Sequence, residues 1–314
     1  MHVSDALISP SVALGTVVIS VSLMAISSRR VKNSERTDLI PLMGVMGAFV
    51  FAAQMINFAI PGTGSSGHLI GGILLASILG PWCAFITLCS ILIVQCLFFA
   101  DGGILALGCN ILNMAATSCL IAYPLVYRPI TGKSLGTVKI FAASILSSVF
   151  ALELGAFGVT VETELSGITA LPFGEFIKYM LPIHLVIGLI EGIVTASLLV
   201  FLAHYRPEVL YSRSQNTTEH PVKTRPVLWI AGTVAFVLAA TFSLLASENP
   251  DGLEWSVEKV TGLTELPSEF SQPSVMSGYD SGLSGIIGSV IVMVLLWGLT
   301  SLIFQRFKKT SNEK

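Results

Sequence analysis

The chain has 314 residues, 53% hydrophobic and only 11% charged, with a formal net charge of −2. A soluble domain carries about 25% charged residues, so a water-soluble globule is excluded, and the near-neutral balance leaves no basic surface for nucleic acid. Repeated apolar runs of roughly 20 residues match the thickness of a bilayer core, and a helix satisfies its own backbone in lipid. The expected fold class is all-α: a polytopic membrane protein of about nine helices, seven in front and two in a tail.

The chain opens Met1-His2-Val3-Ser4-Asp5. With the formyl group removed and no leader cleaved, Met1 presents a free amine. That amine, the amide nitrogen of His2 and Nδ1 of His2 close a five- and a six-membered chelate ring in one plane. One in-plane position is left for a fourth nitrogen, and four planar nitrogens suit Ni(II) or Cu(II). Many proteins begin Met-His by chance, so the dipeptide needs support from elsewhere in the chain.

The first apolar run, 10–27, has no basic residue before it, and Arg29, Arg30, Lys32 and Arg36 follow it. A cleavable signal has the opposite order. The run reads as a retained helix with its N-terminus outside, because basic residues mark the cytoplasmic side. A second helix, 39–59, leads to an outer loop, Ile60-Pro61-Gly62-Thr63-Gly64-Ser65-Ser66-Gly67. The short run 68–79 is expected as a half-helix packed inside protein. Helices at 83–99, 104–126, 138–160 and 181–203 follow, with an acidic outer loop carrying Glu162, Glu164 and Glu175. The polar stretch 206–226, with Pro207, Pro221 and Pro226, reads as a cytoplasmic linker between a seven-helix domain, 1–205, and a two-helix domain, 227–314. The tail helices are expected at 227–246 and 284–304, with an acidic outer segment at 247–282 between them. Fifteen of the seventeen Lys and Arg then lie inside, only Lys178 and Lys259 outside, and the C-terminus is cytoplasmic.

Two phosphate-loop lookalikes fail. Gly62–His68 has histidine where lysine is needed, and Tyr127–Ser134 lacks the first glycine. ATP hydrolysis, if transport needs it, belongs to another subunit. No H-E-x-x-H or G-x-S-x-G occurs, so an enzyme has little support. The five cysteines lie in apolar runs without C-x-x-C spacing and read as packing residues.

His68 stands where the glycine-serine loop meets an apolar helix, on the same expected face as Met1, and imidazole is a common nickel or copper ligand. Gln54 and Asn57, three apart, are expected on one helix face, and Asn110 with Asn113 repeats the spacing. These four are candidates to orient His2 or His68; ordinary interhelical hydrogen bonds explain the same residues. His184 and Glu191, seven apart, share a face of one helix. An ionisable group inside a span is a functional hypothesis by default, although Gly188 and Gly192 beside Glu191 also favour close helix packing. Asp5 and Glu153 are weaker candidates of the same kind.

Met1-His2, the stretch Gly47–Phe58, and Gly64-Ser65-Ser66-Gly67-His68-Leu69-Ile70-Gly71-Gly72 resemble the substrate-binding membrane subunit of energy-coupling factor importers for cobalt and nickel. The resemblance continues through Gly80-Pro81-Trp82, Asp101-Gly102-Gly103, Asn110–Ala115 and His184–Glu191. Pro250-Asp251-Gly252-Leu253-Glu254-Trp255 and the last helix resemble the small two-helix partner of the nickel type, here fused. The family usually has Ile-Pro-Asp-Gly or a similar run after the histidine; here it is Val3-Ser4-Asp5-Ala6.

The resemblance implies metal held by Met1, His2 and His68, and a transmembrane coupling protein with a pair of cytoplasmic ATPases as partners. It also implies a tail that assists loading, and residence in a prokaryotic inner membrane. Ni(II) is favoured over Co(II) as the transported substrate, with no resident cofactor. Two other readings stay open: a membrane metal sensor or accessory protein, and a proton-coupled secondary transporter using His184 and Glu191.

Overall fold

Helix α1 (Pro10–Asn33) begins with proline in its first turn, where no amide hydrogen is needed, and ends with Arg30 and Lys32 near its negative pole. Leu14, Val18, Ile19 and Val21 are exposed on it, while Ala13, Thr16, Ser20 and Ser27 face inward. This is the reverse of a soluble helix and suits a lipid-facing one. The computed structural model describes residues 1–34, 39–132, 136–211, 247–264 and 286–298, with a few isolated positions between 211 and 286.

Helix α2 (Leu39–Gln54) is buried along nearly its whole length. It stops five residues short of the expected 59, and an antiparallel hairpin follows. Strand β1 (Phe58–Ile60) pairs with β2 (Ser65–Gly67), with Ile60 opposite Ser65. Pro61 and the left-handed Gly62 and Gly64 shape the turn, and Thr63 N–H donates to the Ile60 carbonyl at 3.3 Å. The all-α expectation therefore holds for the membrane part, with this small hairpin as the exception among the described residues.

Helix α3 (Gly72–Leu79) has all eight residues buried. At about 1.5 Å per residue it spans less than half a bilayer core, as a half-helix inside protein should. Gly71, at φ 74°, lets the chain turn into it; Gly80, at φ 80°, turns it into Pro81. The longer helices are α4 (Pro81–Phe99), α5 (Leu107–Thr131), α6 (Thr137–Ser166) and α7 (Phe173–Tyr205). With α1, they are the five described helices long and apolar enough to cross a membrane. Helix α7 starts eight residues before the expected 181. Its first turns carry Glu175 and Lys178, which form a 2.5 Å ion pair one turn apart and extend the helix past its apolar part. A side chain at Gly188 or Gly192 would meet the backbone of Val149 or Ile145 on α6, so the small residues do set close helix packing.

In the tail, α8 (Gly252–Thr261) is a short helix within the segment read as an acidic loop. Asp251 caps it, accepting from Leu253 and Glu254 N–H while Glu254 accepts from Asp251 N–H. Helix α9 (Ile286–Gly298) falls in the last apolar run. Most of the expected helix at 227–246 and most of the linker lie outside the described residues. One end of the bundle has the Arg30 guanidinium over the Trp82 ring at 5.8 Å; the other end carries the N-terminus, the hairpin and α8.

Candidate metal site

The first eight residues are packed into the protein. Met1, Val3, Leu7 and Ile8 are all buried. Asn110 grips Val3 with both ends of its amide: Oδ1 accepts from Val3 N–H at 2.7 Å, and Nδ2 donates to Val3 C=O at 3.2 Å. Gly103 N–H also donates to Val3 C=O, at 2.9 Å, and any side chain at Gly103 would strike Asp5. Asp5 accepts from Ala106 N–H at 3.1 Å and ties the segment to the start of α5. These bonds fix the place of the terminal amine.

That place is His68. The Met1 amine lies 3.2 Å from His68 Nε2. Nδ1 of His68 is 3.2 Å from the Leu69 carbonyl, which can only accept, so Nδ1 carries the proton and the Nε2 lone pair faces the amine. Burial, the charge of the amine and His2 push the His68 pKa down to about 3. The ring is therefore neutral at physiological pH, as a metal ligand must be. The His2 and His68 rings stack with centroids 5.0 Å apart and 18° between planes.

A chain of amides fixes His2. Gln54 Nε2 donates to the Ile70 carbonyl at 2.7 Å, so its Oε1 is left to accept from Gln95 Nε2 at 2.8 Å. Gln95 Oε1 then faces His2 Nε2 at 3.2 Å, which assigns a proton to that nitrogen. Nδ1, the nitrogen in reach of the chelate, is 3.0 Å from Asp101 Oδ1.

Two carboxylates complete the site. Asp101 faces His2, and Asp251, from the tail, pairs with the Met1 amine at 2.5 Å. Burial acts to raise both carboxyl pKa values, but His2 at Asp101 and the amine at Asp251 outweigh it and hold both groups below their usual range. A cavity of about 290 Å³ lined by His2, Asp5, Asp101, Asp251 and Glu254 leads to them. Among the described residues, no group of three or more His, Cys, Asp or Glu side chains is placed to hold a metal.

Of the residues singled out in the sequence, Met1, His2, His68, Gln54 and Asn110 converge. Asn57 does not share a face with Gln54, because α2 ends at Gln54; its carbonyl accepts from Ser247 N–H at 2.8 Å instead. Asn113 turns away and donates to Glu162 on α6 at 2.6 Å. Glu191 accepts from Ile70 and Gly71 N–H, at 2.8 and 3.0 Å, and so anchors the segment just after His68. His184 donates from Nδ1 to Met180 C=O at 2.7 Å, and its Nε2 has no hydrogen-bond partner among the described residues. Glu153, in the middle of α6, likewise has one oxygen without such a partner. Gln95 was not singled out, and Asp101 and Asp251 entered only within motifs that carry the family resemblance, without a role at the site. A lone glutamine in the apolar run of α4 was the available signal for Gln95.

A membrane bundle with an amine, two imidazoles and two carboxylates gathered at one end is the architecture of a metal-handling membrane protein. Residues 2–209 match the family described as the cobalt uptake substrate-specific transmembrane region, and 225–277 match the PDGLE domain. The chain is 31% identical over 313 residues to a protein of Archaeoglobus fulgidus assigned as a fused nickel transport protein, covering 96% of this chain and 98% of that one. It is 29% identical over 313 residues to a fused nickel transport protein of Rhodobacter capsulatus, covering 95% and 86%. The crystal structure of a truncated transition metal transporter superposes with a TM-score of 0.58 at 31% identity, covering 65% of this chain and 99% of that one.

The chain belongs to the cobalt uptake substrate-specific transmembrane family and carries a PDGLE domain. It is a multi-pass membrane component of a metal transport system, and not an enzyme.

Proposed function

We propose that the protein is the substrate-binding subunit of an ATP-driven energy-coupling factor importer that takes Ni(II) in preference to Co(II). The Met1 amine and the His2 amide nitrogen, each after giving up one proton to water, hold the ion in one plane with His2 Nδ1 and His68 Nε2. The observation that carries this reading is the 3.2 Å approach of the Met1 amine to His68 Nε2 from opposite ends of a 67-residue separation. Planar nitrogen donors favour nickel, and the fused tail resembles that of nickel transport proteins. Domain 1–205 binds the ion, and domain 227–314, joined by linker 206–226, assists loading. A transmembrane coupling protein and two cytoplasmic ATPases complete the machine and supply the energy this chain cannot.

Proton coupling through His184 and Glu191 is disfavoured by the two backbone N–H groups committed to Glu191. Nickel uptake by cells expressing all the subunits is expected to persist when an uncoupler collapses the proton gradient while ATP stays high. It is expected to stop when the ATPase is inactivated. The reverse pattern would establish a secondary transporter, and binding without uptake a sensor.

A further inference from the structure

The proposed donors come from two separate pieces of chain, the N-terminal segment and the hairpin leading to His68. We infer that the tail turn 247–255 fixes both pieces, and that Asp251 is a positioning residue for the Met1 amine. The inference rests on the nitrogen chelate proposed above and goes beyond it by making the metal site incomplete without the tail.

The turn is bonded to the hairpin along its length. Ser66 N–H donates to Pro250 C=O at 2.7 Å, Ser66 Oγ donates to Asn249 C=O at 2.8 Å, and Trp255 Nε1 donates to Thr63 C=O at 3.0 Å. Trp255 also meets Tyr179 of α7 edge-on at 5.9 Å. Gly252 lies over His184 and Ile187, where a side chain would come within 2.8 Å of Ile187. The turn thus sits between the hairpin and α7, with Asp251 aimed at the amine.

The two oxygens of Asp251 have separate tasks. Oδ1 accepts from Leu253 and Glu254 N–H, at 2.8 and 2.9 Å, and caps α8. Oδ2 takes the Met1 amine. A helix cap needs only an acceptor, and asparagine serves there as well as aspartate. The contact to the amine needs the second oxygen. A metal-bound amine has given up one proton of its ammonium form and keeps two N–H groups, so Oδ2 still has a donor to hold when the site is loaded. A carboxylate behind a ligand nitrogen both orients it and strengthens its donation.

Asp251→Asn keeps the cap and replaces Oδ2 by an N–H donor. Nickel chloride binding to the purified full chain is expected to weaken by about 10–100-fold, the usual effect of losing such a partner. The ligand-field absorption band of the bound ion should shift, beside the fall in melting temperature that loss of the buried pair brings. Asp251→Glu, which restores the charge, should recover part of the affinity. Native affinity and an unshifted band in Asp251→Asn, with binding weakened in His68→Ala, would overturn the role of Asp251 and leave the chelate standing. Native binding in both variants would remove His68 from the donor set as well as Asp251 from its role, and so overturn the four-nitrogen site. A lower melting temperature with an unshifted band and no recovery in Asp251→Glu would make Asp251 merely structural and overturn the inference.

Discussion

His68→Ala is expected to lower Ni(II) affinity by more than the roughly 10–100-fold that loss of an orienting partner costs, because it removes a direct donor. The other three proposed donors belong to the first two residues and close a planar three-nitrogen chelate by themselves, so residual binding should remain. The His68 ring is neutral, its Nε2 lone pair faces the amine, and its other nitrogen is committed to the Leu69 carbonyl. The fold should survive, since Ile70 and Gly71 keep their bonds to Glu191 in the variant. Calorimetry of nickel binding beside a thermal melt separates the two effects. Undiminished affinity in the variant would remove His68 from the site.

Glu191→Ala is expected to show the largest loss of stability. Its carboxylate, 1% exposed, is the partner of two backbone N–H groups at the entrance to α3. An orphaned buried donor costs about 1–3 kcal/mol, so the pair amounts to about 2–6 kcal/mol. Glu191→Gln keeps one acceptor oxygen and should lose roughly half as much. The same bonds hold the segment that carries His68, so nickel binding should weaken together with the melting temperature in both variants. An unchanged melt in Glu191→Ala would show that Ile70 and Gly71 find other partners. Nickel binding that stays native in a destabilised Glu191→Ala would show that this anchor is not needed to place His68.

The parts of the site written in short stretches of sequence were legible. Met1 and His2 are adjacent, His68 follows a glycine-serine loop, and the charge pattern put both on one face, where the structure brings them together. Long apolar runs gave the membrane helices, and the short run before Gly80 gave α3. The hairpin was hidden because Phe58-Ala59-Ile60 continues the apolar pattern of α2, and three residues are too few to show a strand period. Asn57 was misplaced for that reason. The start of α7 was read as loop because Glu175 and Lys178 are polar, although they pair along the helix. Asp251 could not be found by spacing. It lies 250 positions from Met1 and reaches it only through the docking of the tail on the hairpin.

The most direct measurement is Ni(II) binding by the native protein against a version with one extra residue before Met1. The added residue moves the terminal amine and destroys the chelate geometry, while Asn110, Gly103 and Asp5 still hold the segment behind it. Native protein is expected to bind one Ni(II) tightly, with the spectrum of a planar nitrogen site, and the extended protein to lose that tight binding. Equal binding by both would contradict an N-terminal chelate and send the search for the metal site to His68, His184 and the carboxylates of the cavity.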